Sequence, residues 1–404
     1  MFLGITMLFA DLKVIDAASF LAGPGAATVL ADYGADVIKI EPLQGDGYRT
    51  LKGGYPIDYN WQLTSRNKRS LALNLDSAEG REVLQRLLVD ADVLLVNVAD
   101  EQLQRFGLQY EPLKALNPRL IYAHLTGFGT RGADASKRGF DSTAWWANSG
   151  MMEMVREPGQ QPLMGVPGFG DHTTAMSLFG GIVMGLYRRE KTGEGCYVTT
   201  SLAANGVWAN GMSLQGTIAG FDVAQRRQSK GWINPLLSVY PTQDGRHVLL
   251  TILNPAREWP QLCAALQHPE WVDDARFADP RSLHKHRELF IELVSERTKA
   301  LTLAALTAAL DAHEITYSVV KTNSEVIEDK QLFANGVFVE TGSDTPGYPL
   351  TIANPLQLAG EPRRSAGPAP DVGEHSREVL GELGLGAAEV DALIAAGVVG
   401  IPTS

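Results

Sequence analysis

Asp171 stands at the end of a glycine-rich run, Gly168-Phe169-Gly170-Asp171-His172-Thr173-Thr174, with a long apolar stretch at 176–187 behind it. Residue types in this order suit a carboxylate nucleophile. Glycines permit positive φ and leave room for a ligand to approach the backbone. A helix starting here would point its positive end at Asp171 and keep it ionised for attack. The same residues also suit a helix start at which Asp171 merely caps the first amides. Taken alone, the run leaves both readings open.

The elements that must position this turn alternate between strand and helix signals. Lys13-Val14-Ile15-Asp16-Ala17-Ala18 reads as a buried strand, and Gly23-Pro24-Gly25 as the turn into a helix near 26–33. Gly34 is placed to end that helix, and Val37-Ile38-Lys39-Ile40-Glu41 reads as the next strand. Leu71, Leu73 and Leu75 alternate with Ala72 and Asn74 as in a strand. Ser77 then caps a helix carrying Val83, Leu84, Leu87 and Leu88 on one face. Residues 93–98 and 120–125 are two further buried strands. The alternation predicts an α/β fold whose parallel sheet is covered by helices on both faces.

The character changes after about Phe221. A polar segment at 225–230 reads as a linker, 240–246 as a strand and turn, and 248–253 as a second strand. Helical patterns dominate 269–312, which predicts a smaller α+β domain. Past 330 the chain turns extended and Pro/Gly-rich at 342–370, and an amphipathic helix is expected at 376–383. The 404 residues suit two domains.

Composition narrows the function classes. Hydrophobic residues make up 45% and charged residues 20%, the balance of a soluble globular chain. A net charge of −11 argues against nucleic acid or an acidic membrane surface as partner, but leaves room for a small anionic ligand. The two cysteines, Cys196 and Cys263, are far apart in apolar contexts, so neither a disulfide framework nor a cysteine zinc site is expected. Residues 1–10 are apolar without a signal peptide's basic start or cleavage site, and read as an extension before an internal start at Met7. The longest apolar stretch, 178–187, is too short to span a bilayer. A cytoplasmic protein is expected.

Other chemistries match poorly. Gly23-x-Gly25 after a strand, with Glu41 ending the next, resembles a dinucleotide fingerprint. Thr28, however, replaces the third glycine, and Pro24 removes an amide from the phosphate loop. The eight histidines show no metal spacing, and no GxSxG elbow appears.

An ordered set of segments carries a more specific resemblance. Leu12-Lys13-Val14-Ile15-Asp16, Ala22-Gly23-Pro24 and Gly34-Ala35-Asp36-Val37-Ile38-Lys39-Ile40-Glu41 open it. Arg66-Asn67-Lys68-Arg69-Ser70-Leu71, Gly127-Phe128-Gly129, Gly170-Asp171, Lys191-Thr192-Gly193-Glu194-Gly195 and Gly373-Glu374-His375 continue it. The set resembles the class III coenzyme A transferase family, also called CaiB/BaiF, over nearly the whole chain. That resemblance implies a Rossmann-like large domain from 1–225 and 330–404, a smaller α+β domain at 226–329, and an interlocked homodimer. It implies no permanently bound cofactor and no metal; a coenzyme A thioester is the substrate, with an acyl-CoA donor and a carboxylate acceptor as partners.

The resemblance also implies roles. Asp171 matches the transferases' nucleophile, which forms an acyl–aspartyl anhydride and then an aspartyl-CoA thioester. Backbone amides at Gly168 and Gly170 are expected to face the developing oxyanion. Coenzyme A contacts fall on Leu21 and Ala22, on Leu73, Asn74, Leu75 and Asp76, on Asn97, Val98 and Ala99, on Arg105, and on Lys137, Arg138, Gly139 and Phe140. Arg105, Lys137 and Arg138 suit phosphates, although each alone is an ordinary solvated charge.

The family's racemase branch pairs the aspartate with a histidine in a Gly-His-Asp motif; here that segment is Gly139-Phe140-Asp141, and phenylalanine cannot move a proton. His124 and His172 do not match that place. Leu21 replaces the glutamine and Pro42 the arginine of formyl-CoA transferase, and 229–237 lacks its glycine-rich loop, which argues against formate or oxalate. Trp145, Trp146, Met151 and Met152 suit roomy apolar walls or plain core. A transferase acting on 2-hydroxy, aryl or carnitine-like acids is expected. An α-methylacyl-CoA racemase and a non-catalytic coenzyme A-binding protein are the alternatives.

Overall fold

The computed structural model describes residues 7–223 and 234–402. The segment 225–230, read above as a linker, lies outside the described residues, as do residues 1–6 and most of 229–237. The chain divides into two compact units, one of 1–156, 161–220 and 331–404, the other of 157–160 and 221–330.

Six strands of the larger unit run parallel: β1 (Lys13–Asp16), β2 (Asp36–Glu41), β3 (Arg69–Leu73), β4 (Val93–Val96), β5 (Ile121–Thr126) and β6 (Cys196–Ser201). The smaller unit carries an antiparallel sheet of β7 (Leu237–Pro241), β8 (His247–Thr251) and β9 (Tyr317–Val319). It packs under helices around Trp259, Leu262, Phe290, Val294, Leu306 and Leu310. Back in the larger unit, β10 (Phe338–Glu340) and β11 (Leu350–Ile352) form a ribbon. The last strand, β12 (Val399–Gly400), joins the main sheet antiparallel beside β3. The order in that sheet is β12-β3-β2-β1-β4-β5-β6. The order in which successive strands are added therefore reverses between β1 and β4, and in such sheets ligands bind outside the carboxyl ends at that reversal.

The alternation of strand side chains divides the apolar interior into two cores. Val14, Val37, Val93, Leu95 and Ile121 face the layer holding the helices Ala22–Asp32 and Phe169–Thr192. Ile15, Ile38, Ile40, Leu71, Leu94 and Val96 face the opposite core, with Val83, Leu84 and Leu88 of the Ser77-capped helix Ala78–Val89. The first helix starts earlier than its sequence predicts. Gly23, Pro24 and Gly25 lie inside Ala22–Asp32, not in a loop before it. Proline is tolerated there because amides of a first helical turn have no helical acceptor. A Cβ on Gly23 would meet Ala18 Cβ at 2.4 Å, so this glycine serves close packing and no phosphate cradle forms. Thr28, where a third glycine was missing, donates to the Pro24 carbonyl at 3.0 Å.

The first core turns ionic at the carboxyl ends of its strands. Lys68 Nζ contacts Asp16 at 2.8 Å and also donates to the carbonyls of Pro24 (2.7 Å) and Thr64 (2.9 Å). Lys39 pairs with Asp46 at 3.2 Å and donates to the Ala18 carbonyl. Glu41 takes Arg49 at 2.8 Å, the Asp46 amide at 2.9 Å and the Ser70 hydroxyl at 2.7 Å. Both lysines are fully buried. Burial pushes the Lys68 ammonium down against the pull of Asp16. At Lys39 burial acts in the same direction, but Asp16, Asp46 and Glu41 together outweigh it and raise the ammonium. Removing one partner of such a pair strands the other. Lys68→Met is therefore expected to destabilise the protein by about 3–5 kcal/mol in urea titrations; a loss under about 1 kcal/mol would refute a structural role for the pair.

Candidate active site

The helix Phe169–Thr192 begins at Gly168, whose φ of 79° demands glycine, and no side chain of Gly168 can cap it. The cap comes from elsewhere in the chain. Asp141 Oδ2 accepts the Gly168 amide at 2.7 Å and Oδ1 the Gly170 amide at 3.0 Å. Gly170 has no room for a side chain, since a Cβ there would sit 2.3 Å from Asp141 Oδ1 and 2.4 Å from the Trp145 ring. Asp141 is 8% exposed and opens a wide helical turn, Asp141–Ala147, in which Asn148 N reaches back to Thr143 O. Trp145 and Trp146 of that turn pack on Phe169 with centroids 5.6 Å away.

Two sequence expectations change as a result. The capping role considered for Asp171 belongs to Asp141, while Asp171 is the third residue of the first turn. The Gly168 and Gly170 amides, expected to face an oxyanion, are already held by a carboxylate.

Asp171 itself is half-buried and accepts no side-chain hydrogen bond from the described residues. Burial, and then the nearby negative charge of Asp141, push its carboxyl up to about 7. The helix end was expected to keep it ionised, but desolvation and like-charge repulsion outweigh that dipole, part of which Asp141 already neutralises. Asp141 is also raised by burial, with the two glycine amides working against the rise.

Asp171 opens into a cavity of about 740 Å³ at the carboxyl ends of β1, β4 and β5. Leu21 and Ala22 line it after β1, and Asn97, Val98 and Ala99 after β4. Lys137, Arg138, Gly139 and Phe140 complete the expected residues found there. Asn97 clasps the opposite wall, accepting Ser19 N at 2.8 Å and donating to Ser19 O at 2.8 Å. Phe20 adopts φ 65°, unusual for an aromatic residue, with its amide on Asp46 Oδ1 at 3.2 Å. Its ring meets Phe140 edge-on at 5.7 Å and Tyr48 at 6.3 Å. His172 lines the cavity too, and so does His124, whose Nδ1 lies 2.7 Å from Tyr197 Oη and whose burial favours the neutral ring.

The other expected contacts lie outside this cavity. Leu73 is buried within β3, and Leu75 packs against the second core. Asn74 Oδ1 accepts the Asp76 amide at 3.1 Å. Arg105 is paired with Asp76 on the exposed surface, so its charge is already partnered. Among the described residues no cluster of three His, Cys, Asp or Glu could hold a metal, and no helix is long and apolar enough to cross a membrane. Asp141 and Tyr48 are among the cavity residues for which the sequence offered no role. The only signal for Asp141 was its place in the Gly139-Phe140-Asp141 segment.

Known proteins share this architecture. The model for CoA-transferase family III matches residues 9–376. The (R)-2-hydroxy-4-methylpentanoate CoA-transferase of Clostridioides difficile is 31% identical, over 94% of this chain and 96% of its own. The cinnamoyl-CoA:phenyllactate CoA-transferase of Clostridium sporogenes is 30% identical, over 96% of each chain. A crystal structure of a CAIB/BAIF family protein from Brucella suis superposes with a TM-score of 0.82 at 28% identity, covering 94% of this chain and 100% of that one. With matches of this extent in sequence and in fold, the chain belongs to CoA-transferase family III, and is a class III CoA-transferase.

Proposed function

We propose that Asp171 is the nucleophile and that the enzyme moves coenzyme A between carboxylic acids through covalent aspartyl intermediates. The observation that carries this reading is a half-buried carboxylate, free of side-chain hydrogen bonds among the described residues, facing a cavity at the head of a helix. A carboxylate without donors keeps its lone pairs for attack. One Asp171 oxygen adds to the thioester carbonyl, the C–S bond breaks, and an acyl–aspartyl anhydride and a CoA thiolate result. The thiolate adds to the aspartyl carbonyl and expels the donor acid, leaving aspartyl-CoA. The acceptor carboxylate then opens that thioester to a second anhydride, and the thiolate attacks its acceptor carbonyl. Asp171 is released unchanged.

The substrate class follows from the walls. Phe20, Tyr48, Phe140, Trp146 and Met164 line the cavity and suit a branched or aryl side chain. Two of the related enzymes are named for 2-hydroxy acids, one branched and one aryl. We infer a 2-hydroxy acid of that kind as acceptor, with Lys137 and Arg138 toward the coenzyme A phosphates. Phe140 stands where proton exchange would need a base, which favours transfer over racemisation. Homodimer formation is supported by an exposed apolar surface: Trp208 is 87% exposed, Met212 93% and Ile218 78%.

Three outcomes are expected. Incubation with branched and aryl acyl-CoAs followed by hydroxylamine should leave a hydroxamate on the Asp171 peptide by mass spectrometry, and Asp171→Ala should abolish both adduct and turnover while staying folded. Deuterium entering the acyl α-carbon from heavy water, with no adduct, would favour a racemase instead. Because attack needs the ionised carboxylate, adduct formation at subsaturating donor should rise about tenfold per pH unit below pH ~7 and level off above it. Asp141→Asn removes the second cause of the raised carboxyl, so the inflection should move to lower pH; an unmoved inflection would exclude Asp141 as a source of the shift. Light scattering should return twice the chain mass, and a monomer would remove the dimer from this reading.

A further inference from the structure

Each step of the reaction proposed above passes through a tetrahedral centre whose oxygen carries negative charge. Such an oxygen needs a donor already in place, and one good donor is typically worth about 100-fold or more in rate. Two backbone amides beside the nucleophile, those of Gly168 and Gly170, are not available, because Asp141 holds them. His172 follows Asp171 directly in the helix, where adjacent side chains point apart.

We propose that the Tyr48 hydroxyl is this donor, a catalytic residue that hydrogen-bonds the oxyanion formed when Asp171 attacks. The inference rests on the reading of Asp171 as nucleophile. Tyr48 is only 7% exposed, yet it lines the same cavity as Asp171. Its backbone amide is fixed on Asp46 Oδ1 at 2.9 Å, and Asp46 is the carboxylate paired with Lys39. Its ring is wedged among Leu21 and Trp61, with Phe20 edge-on. The phenol hydroxyl makes no hydrogen bond to the described residues, so its proton is uncommitted before substrate arrives.

Electrostatics agree with this placement. Burial first, and then the negative charge of Asp171, push the phenol up, so it stays protonated and able to donate at any working pH. Tyr48 and Asp171 line one cavity, so the phenol is placed to respond when that charge moves. As the new C–O bond forms, the aspartate charge passes onto the carbonyl oxygen of the substrate. The hydroxyl then donates a hydrogen bond without giving up its proton, and the charge leaves with the CoA thiolate when the C–S bond breaks. A hydrogen bond made only at that stage raises the rate without tightening ground-state binding.

Tyr48→Phe tests this in the full-length enzyme, because phenylalanine keeps the ring and its packing and removes only the hydroxyl. Single-turnover adduct formation on Asp171 would be followed with 2-hydroxy-4-methylpentanoyl-CoA and with cinnamoyl-CoA, and the dissociation constant of free coenzyme A measured alongside. The expected result is a rate lowered by about 100-fold with coenzyme A affinity unchanged. A variant rate within about threefold of wild type would overturn the Tyr48 role alone. A rate and an affinity that fall together would overturn it too, assigning Tyr48 to binding. Wild-type enzyme that forms no adduct would overturn the nucleophile reading, and the Tyr48 role with it.

Discussion

Two lysines that cannot reach water organise the larger unit. Lys39 lies within β2 and Lys68 just before β3, and each must find its counter-charge within the protein. An isolated ammonium there would lose several kcal/mol of solvation, so the fold is built only where Asp16, Asp46 and nearby carbonyls surround them. Each lysine joins segments distant in sequence. Lys68 ties the approach to β3 to Asp16 at the end of β1, and to the first helix through the Pro24 carbonyl. Lys39 ties β2 to the Ala18 carbonyl and, through Asp46, to the amides of Phe20 and Tyr48. The cavity wall after β1 is thereby held by ion pairs that lose strength if any one group moves. Apolar packing of similar volume would stabilise as well or better, but it has no directional demand on those amides.

A second constraint is that the head of the Phe169–Thr192 helix carries two carboxylates in unlike environments. Asp141 meets the amides of Gly168 and Gly170 and satisfies donors that would otherwise be orphaned. Asp171 receives no such bond among the described residues and lies near a like charge. The pair thus separates a carboxylate that caps from one that does not. Were Asp171 to cap its own helix, hydrogen bonds would stabilise its charged form and lower its basicity. With Asp141 in that role, Asp171 is poised near neutrality, where a carboxylate is more basic than in water yet still ionises.

The sequence carried the sheet better than the site. Strands β1, β2, β4 and β5 were legible because burial on both faces makes them short apolar runs between turn residues. Ser77 and Gly34 marked helix ends through local chemistry, a side-chain cap and a positive φ. β6 was not legible: Cys196–Ser201 alternates half-buried and exposed at the sheet edge, and Tyr-Val-Thr-Thr could as well be a loop. The first helix began earlier because glycine and proline lower local helix propensity while close packing against Ala18 and Ala175 favours them there. Asp141 escaped notice for a different reason. Its partners are 27 and 29 residues away, and no spacing rule links a carboxylate to the amides of a distant helix. Arg105 has the right chemistry for phosphate, but its place outside the cavity, beside Asp76, is set by the fold and not by composition.

The aromatic wall connects these two constraints. Phe20 is held in a left-handed backbone conformation by Asp46, and that conformation sets its ring between Tyr48 and Phe140. Strain of this kind persists only where surrounding bonds over-determine it, here a buried ion pair and the Asn97 clasp on Ser19. Three rings held this way line the cavity that Asp171 also lines. Apolar surface beside that carboxyl adds to the burial that raises it and strengthens any hydrogen bond made to charge formed there. The ionic network, the strained loop and the ionisation of Asp171 are in this sense one arrangement: the charges buried behind the wall keep its apolar face in place.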